Sequence, residues 1–177
     1  VISLEANGRI ILWDAVDLKP VAQRDGALAY SRTGTGLSLD GRKAALVSPE
    51  RKAIWIVDLL SVALEKALSP EQDDLYATAL SPAADRVAAV DAQNRIIIWD
   101  TASGQKLQMI TAKTRTPIHK VRFSPDGKVI ASLNEGQVFL WDVASGSKKA
   151  EFAGRNDVAW STDGKIVASD STDNRLY

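Results

Sequence analysis

The sequence predicts an all-β protein assembled from repeated four-stranded antiparallel units, and two landmarks carry that prediction. Four apolar runs end in aspartate: Ile10-Ile11-Leu12-Trp13-Asp14, Ile54-Trp55-Ile56-Val57-Asp58, Ile96-Ile97-Ile98-Trp99-Asp100 and Val138-Phe139-Leu140-Trp141-Asp142. Their aspartates lie 44, 42 and 42 residues apart. A turn recurs as Ser38-Leu39-Asp40-Gly41, Ser81-Pro82-Ala83-Ala84, Ser124-Pro125-Asp126-Gly127 and Ser161-Thr162-Asp163-Gly164, with its serines 43, 43 and 37 apart. Two landmarks sharing one period mark a supersecondary unit that stacks on copies of itself. The short last interval implies a trimmed loop.

Each element of the unit follows in order. Behind every Ser turn comes a short β-rich run, at Lys43 to Val47, Arg86 to Val90, Lys128 to Leu133 and Lys165 to Ser169, which reads as a strand. Asn7-Gly8, Gln93-Asn94, Glu135-Gly136 and Asp173-Asn174 then supply residues that tolerate positive φ, so the run ending in Asp pairs back as a hairpin. Lys106 to Thr111 and Lys148 to Ala153 add a strand after the Asp. Tyr76 to Leu80, Ile118 to Phe123 and Asp157 to Trp160 add one before the Ser turn. The sum is four short strands.

The Trp-Asp endings, the Ser-Pro-Asp-Gly turn and the period together resemble the WD-repeat β-propeller family across essentially the whole chain. The resemblance implies one blade per repeat, with strands a to d running from a central channel to the rim. It places Trp13, Trp99 and Trp141 on strand c, between neighbouring blades, with Asp14, Asp58, Asp100 and Asp142 closing that strand. The blade parts are 1–25, 26–69, 70–112, 113–154 and 155–177, about four and a half blades. An arc of a larger ring of about seven blades is expected, because propellers close with roughly four to eight. The remaining blades of the same polypeptide or a second copy would complete it. The family's Gly-His pair is missing, Thr114 stands where its His is expected, and its turn Asp is replaced by Asn7, Arg51, Gln93 and Glu135, surviving only as Asp173. A degenerate polar network is therefore expected, with stability resting on apolar packing between blades.

Composition narrows the chemistry. The 177 residues carry 22 basic and 22 acidic side chains, one histidine and no cysteine. Disulfides, thiolate metal sites and a cysteine nucleophile are excluded. Neutral overall charge argues against a nucleic-acid partner, and no apolar run approaches the roughly 18 residues that span a bilayer. His119 is the one imidazole; alternation puts it with Val121 and Phe123 as a packed or hydrogen-bonded strand residue, and no Gly-x-Ser-x-Gly elbow accompanies it. Asp73-Asp74, Asp163, Asp170 and Asp173 do not follow the calcium-loop pattern and read as solvated turn acids. Ser31-Arg32-Thr33-Gly34-Thr35-Gly36 lacks the third glycine and the Gly-Lys-Ser/Thr of phosphate loops and reads as a lengthened loop. No catalytic, cofactor or metal residue is assigned.

One charge feature is uneven: from Lys106 to Lys128 six basic residues face only Asp126. A solvated face explains most such runs, and an acidic partner is the alternative. The expected function is a non-catalytic platform for protein partners. By family position it uses the loops joining d to a and b to c, where Gln72, Asp73, Gln93, Arg115, Glu135, Arg155 and Asn156 stand. The alternative is an accessory propeller of a larger enzyme or signalling protein, since the segment Leu39 to Asp58 is also similar to blades of prolyl-oligopeptidase-type propellers. A cytoplasmic location is expected, with secreted and periplasmic locations left open.

Overall fold

The computed structural model describes residues 2–4, 9–24, 36–48, 50–61, 63–69 and 74–170. These residues form strands and turns, without a helix. The first sheet has three strands, β1 (Ile2–Leu4), β2 (Ile10–Trp13) and β3 (Pro20–Arg24). Three four-stranded sheets follow: β4 (Gly36–Leu37), β5 (Lys43–Val47), β6 (Ile54–Asp58), β7 (Ala63–Leu68); β8 (Leu75–Leu80), β9 (Arg86–Asp91), β10 (Arg95–Asp100), β11 (Lys106–Thr111); and β12 (Lys120–Phe123), β13 (Val129–Asn134), β14 (Gln137–Asp142), β15 (Lys148–Ala153). A two-stranded sheet, β16 (Val158–Trp160) with β17 (Val167–Ser169), closes the described chain. Every pairing is antiparallel between consecutive strands. The fold is all-β, built of the four-stranded units expected of propeller blades.

Apolar contact between sheets holds these units together. Successive side chains of a strand point to opposite faces, so each inner strand divides its residues between two neighbours. On β9 and β10, Val87, Ala89, Ile97 and Trp99 pack towards the preceding sheet. Ala88, Val90, Ile96 and Ile98 pack towards the following one. With both faces buried, β10 can read as three consecutive isoleucines instead of alternating with polar residues. Each isoleucine or valine side chain among them contributes about 1.5 to 3 kcal/mol when fully buried. The outermost strands have no such demand: β15, Lys-Lys-Ala-Glu-Phe-Ala, is exposed except for half-buried Phe152.

Trp99 and Trp141 are 5% and 7% exposed, each in an inter-sheet cluster. Trp55 lies two residues before the position they occupy, so period two returns it to the same face; it packs against the cluster of Ala44, Leu46, Val57 and Leu59, which Ala22 of the first sheet also touches. A further regularity has no signature in the residue pattern. The pairing of the strand that ends in the recurring Asp with the strand after it slips at Leu12/Trp13, Ile56/Val57, Ile98/Trp99 and Leu140/Trp141, the same place in the first four sheets. Such a bulge sharpens the local twist, where the strand leaves the core for the turn.

The polar network is less degenerate than the sequence suggests. Trp141 Nε1 donates to Ser132 Oγ at 2.8 Å in a buried bond, and Trp13 Nε1 donates to Ser3 Oγ at 2.7 Å. In the third sheet the place of Ser132 is taken by Ala89. The turn carboxylate is Asp91, not the Gln93 position: buried, it accepts from the Gln93 and Arg95 main chain at 3.0 and 2.9 Å and from Arg95 Nε at 2.5 Å. Sequence reading misses it because Asp91 ends β9 instead of opening the turn. Thr114 Oγ1 and Asn134 Oδ1 are buried with no protein partner among the described residues.

Packing between inner strands is close enough to demand glycine. A Cβ on Gly36 would lie 2.7 Å from the Ala79 Cα, within the main chain of β8. In the Ser turns the left-handed position is Gly41, Ala84, Gly127 or Gly164, with φ of 68°, 58°, 68° and 70°. Ala84 alone bears a Cβ there, at a cost of about 1 kcal/mol.

Trp99→Ala and Trp141→Ala should each lower unfolding free energy by about 3 to 5 kcal/mol in urea titrations; a loss below about 1 kcal/mol would contradict packing by the inter-sheet clusters. Ala84→Gly should raise stability by about 0.5 to 1 kcal/mol and Gly127→Ala should lower it by at least as much. Gly36→Ala should destabilise by about 1 to 3 kcal/mol through overpacking against β8.

Candidate interaction surface

The turns define two edges. At one edge lie the Ser turns and the turns after the Trp-Asp run. Ser38, Ser124 and Ser161 donate to Asp40, Asp126 and Asp163 at 2.6 to 2.7 Å, and their oxygens accept from the main chain five residues on. Ser81 uses Asp85 instead, at 2.6 Å, because Ala83 and Ala84 fill the usual turn positions. Asp58, Asp100 and Asp142 each accept from the N–H and hydroxyl of the serine three residues on, at 2.6 to 2.9 Å. Asp14 accepts the Val16 and Asp17 amides. The recurring aspartates are therefore turn caps, and these bonds hold their carboxyls below the ordinary range.

At the other edge the turn between the second and third strands meets the segment leading into the next sheet. Arg51, with φ 57°, accepts the Leu75 N–H through its carbonyl at 2.8 Å, and its guanidinium lies over the Tyr76 ring, 4.8 Å from the centroid. Asn94, with φ 60°, accepts the Ile118 N–H at 3.0 Å through its side chain and donates to the Thr116 carbonyl. Gly154 N–H reaches the Gly136 carbonyl at 3.2 Å. These bonds fix the connecting segments to the blades they join, which gives the edge a defined surface instead of loose loops.

Of the sequence-selected residues, Gln93, Arg115, Glu135, Arg155 and Asn156 are exposed along this edge. Gln93 Oε1 accepts from Arg95 at 3.2 Å. Asn156 is bound inward: its main chain and side chain donate to Asp170 at 2.9 and 2.5 Å, the Asp157 amide adds a third bond at 3.1 Å, and Arg155 N–H donates to the Asp170 carbonyl. Gln72 and Asp73, the Asn7-Gly8 and Asp173-Asn174 turns, and Ser31 to Thr35 lie outside the described residues. His119 departs from the expected strand face. It is exposed, while Ile118 beside it is 3% exposed. Strand pairing begins only at Lys120, and the Asn94 contact fixes Ile118 inward, so the alternation of β12 does not extend to residue 119.

The basic stretch is partly neutralised by the next sheet. Lys120 Nζ and Arg122 Nη2 lie 3.1 and 3.2 Å from Asp157 Oδ1. Both pairs are exposed enough to be worth about 1 kcal/mol or less, so they orient the cations more than they hold the sheets.

Residues 104–142 match the family model described as WD domain, G-beta repeat. That span takes β11 from one sheet and β12 to β14 from the next, so the sequence repeat runs one strand out of phase with the sheet, with Gly104 and Asp142 at matching turns. Over that span the chain is similar to the WD-repeat family. A curated relative, Cell division cycle 20.1, cofactor of APC complex, from Arabidopsis thaliana, is 31% identical over 75 residues, covering 41% of this chain and 16% of the relative. The chain thus matches about a sixth of the length of that relative.

Asp170 provides a direct test of the loop geometry. The Asn156 and Asp157 amides, then the Asn156 side chain, stabilise its carboxylate and lower its pKa from 3.8 to about 2. A depressed carboxyl contributes stability that is complete above the unfolded value and lost as pH falls through the folded one, here between about 4 and 2. NMR titration of the Asp170 carboxyl should give a midpoint near 2 in the folded chain. Asn156→Ala should leave most of that depression, because main-chain donors dominate it; a return to the ordinary value would show that the side chain holds the loop.

Proposed function

We propose that this chain is a non-catalytic interaction platform of the WD-repeat type, binding protein partners through the edge that carries Gln93, Arg115, Glu135, Arg155 and Asn156, with Gln72 and Asp73 at the equivalent connection. The observation carrying the proposal is the pinning of these connections by the Arg51, Asn94 and Gly136 contacts. At the five described positions, side chains of both charge signs and amides stand on a hydrogen-bonded backbone, so little entropy is lost on binding. The relative's name, a cofactor of a complex, belongs to the same class of role and supports it.

The sheets are read further as part of a closed ring, completed by other blades of the same polypeptide or by a second copy. Trp13 carries the same indole-to-serine bond as Trp141 at the same strand position, so the first sheet repeats the blade arrangement of the others.

Replacing the seven edge residues together by alanine should reduce retention of partners on the immobilised protein by about tenfold, with the melting temperature within a few degrees of wild type. Undiminished retention would place the contact elsewhere on the molecule. Sedimentation of the 177-residue chain should show self-association, and a stable monodisperse 19.1 kDa species would contradict ring completion.

A further inference from the structure

We infer that the groove between the inner strands β4, β8 and β12 binds an acidic peptide segment carrying large apolar side chains, at the edge opposite the one proposed above. This deepens the platform reading by naming a second contact surface and its chemistry, and it rests on that reading. The groove encloses about 640 Å³. Its floor is apolar, with Leu80, Val121 and Phe123 among its walls, and its mouth is framed by Leu39, Pro82 and Pro125 of the successive Ser turns. Leu37 and Leu39 are 50% and 75% exposed there, so apolar surface is already presented to solvent at the entrance.

Charge selects the occupant. Lys120 and Arg122 of β12 line the groove, and among the described residues no carboxylate does. Their shared partner, Asp157, stands outside the lining and is itself exposed. The nearby turn acids Asp40 and Asp126 each commit an oxygen to a serine and a main-chain N–H within their own turn. Lys120 and Arg122 are thus the charged groups of the lining among the described residues, a cationic wall beside apolar side chains, with the ionised carboxylates of Asp40 and Asp126 outside it on the turns. An incoming carboxylate would share the Lys120 and Arg122 donors while a neighbouring leucine or phenylalanine covers Leu37 and Leu39. The local excess of basic residues between Lys106 and Lys128 thereby acquires a place: two of its members sit on the innermost strand, where a groove focuses their field.

The test is fluorescence anisotropy on the full chain with a fluorescein-labelled hexapeptide of alternating Glu and Leu, beside its Lys/Leu and Glu/Ser counterparts. The Glu/Leu peptide should bind about tenfold or more tightly than either control, and added salt should weaken it. Arg122→Glu and, independently, Leu39→Asp should each cost about tenfold in affinity, while Glu151→Ala on the exposed outer strand β15 should change it less than about twofold. Leu39 is a turn residue exposed to solvent, so its variant reads the groove even if loss of the Arg122 pair disturbs the neighbouring sheet. Absence of binding, equal binding of the Lys/Leu peptide, or full binding by Leu39→Asp would overturn the groove proposal. If the seven-residue alanine variant also retains its partners, the platform reading of the other edge fails separately.

Discussion

Everything in this chain depends on sheets lying face to face through alternate side chains. A single four-stranded sheet of this size has two apolar faces and no third element to cover either. Val87 and Ala88 are both fully buried although they are adjacent on one strand, which is possible only if a neighbour lies on each side. The interfaces repeat the same solution with different residues: Trp99 in one, Phe139 with Trp141 in another, and Val138 against Val158 in the next. Such an architecture is cooperative between nearest neighbours, and its stability is a sum over sheets and interfaces.

Polar chemistry is displaced to the two ends of the strands, and there it is used to fix turns. The Ser turns and the Trp-Asp turns satisfy their own main-chain groups locally, through one hydroxyl and one carboxylate each. At the opposite edge the bonds run between sheets, from Asn94 to Ile118 and from Arg51 to Leu75. Links between sheets are present at the first edge as well, from the Leu39 N–H to the Pro82 carbonyl and from Gln108 Nε2 to the Ala144 carbonyl, so both edges clamp one blade to the next. Function by surface presentation needs this stiffness, because a loop that must first order itself spends binding energy doing so.

The sequence was most legible where one local rule decides the outcome. Period two, Gly or Asn at positive φ and the Ser-Asp turn placed the strands around Lys43, Arg86 and Lys106 at or within a residue of their observed ends. The capping role of Asp58, Asp100 and Asp142 is likewise local, a carboxylate bonding three residues ahead. Legibility failed for groups whose role depends on another segment. His119 shares the parity of Val121 yet faces solvent, because Asn94, 24 residues away in sequence, sets the position of Ile118. Asp91 ends a strand in sequence but acts as the turn carboxylate through Arg95. The recurring bulge beside each Trp position also left no mark, since it concerns register with a partner strand.

The residue order by itself determined the repeat, the four-strand unit, the turn chemistry and the apolar faces, because each follows from contacts within a few positions or one hairpin. Only the tertiary structure decided which faces meet, that Gly36 is required by the main chain of β8, and that Lys120 and Arg122 line a groove beside Leu39 and Phe123. Those facts arise from the approach of strands about one repeat apart in sequence, where distance along the chain carries no information about direction in space.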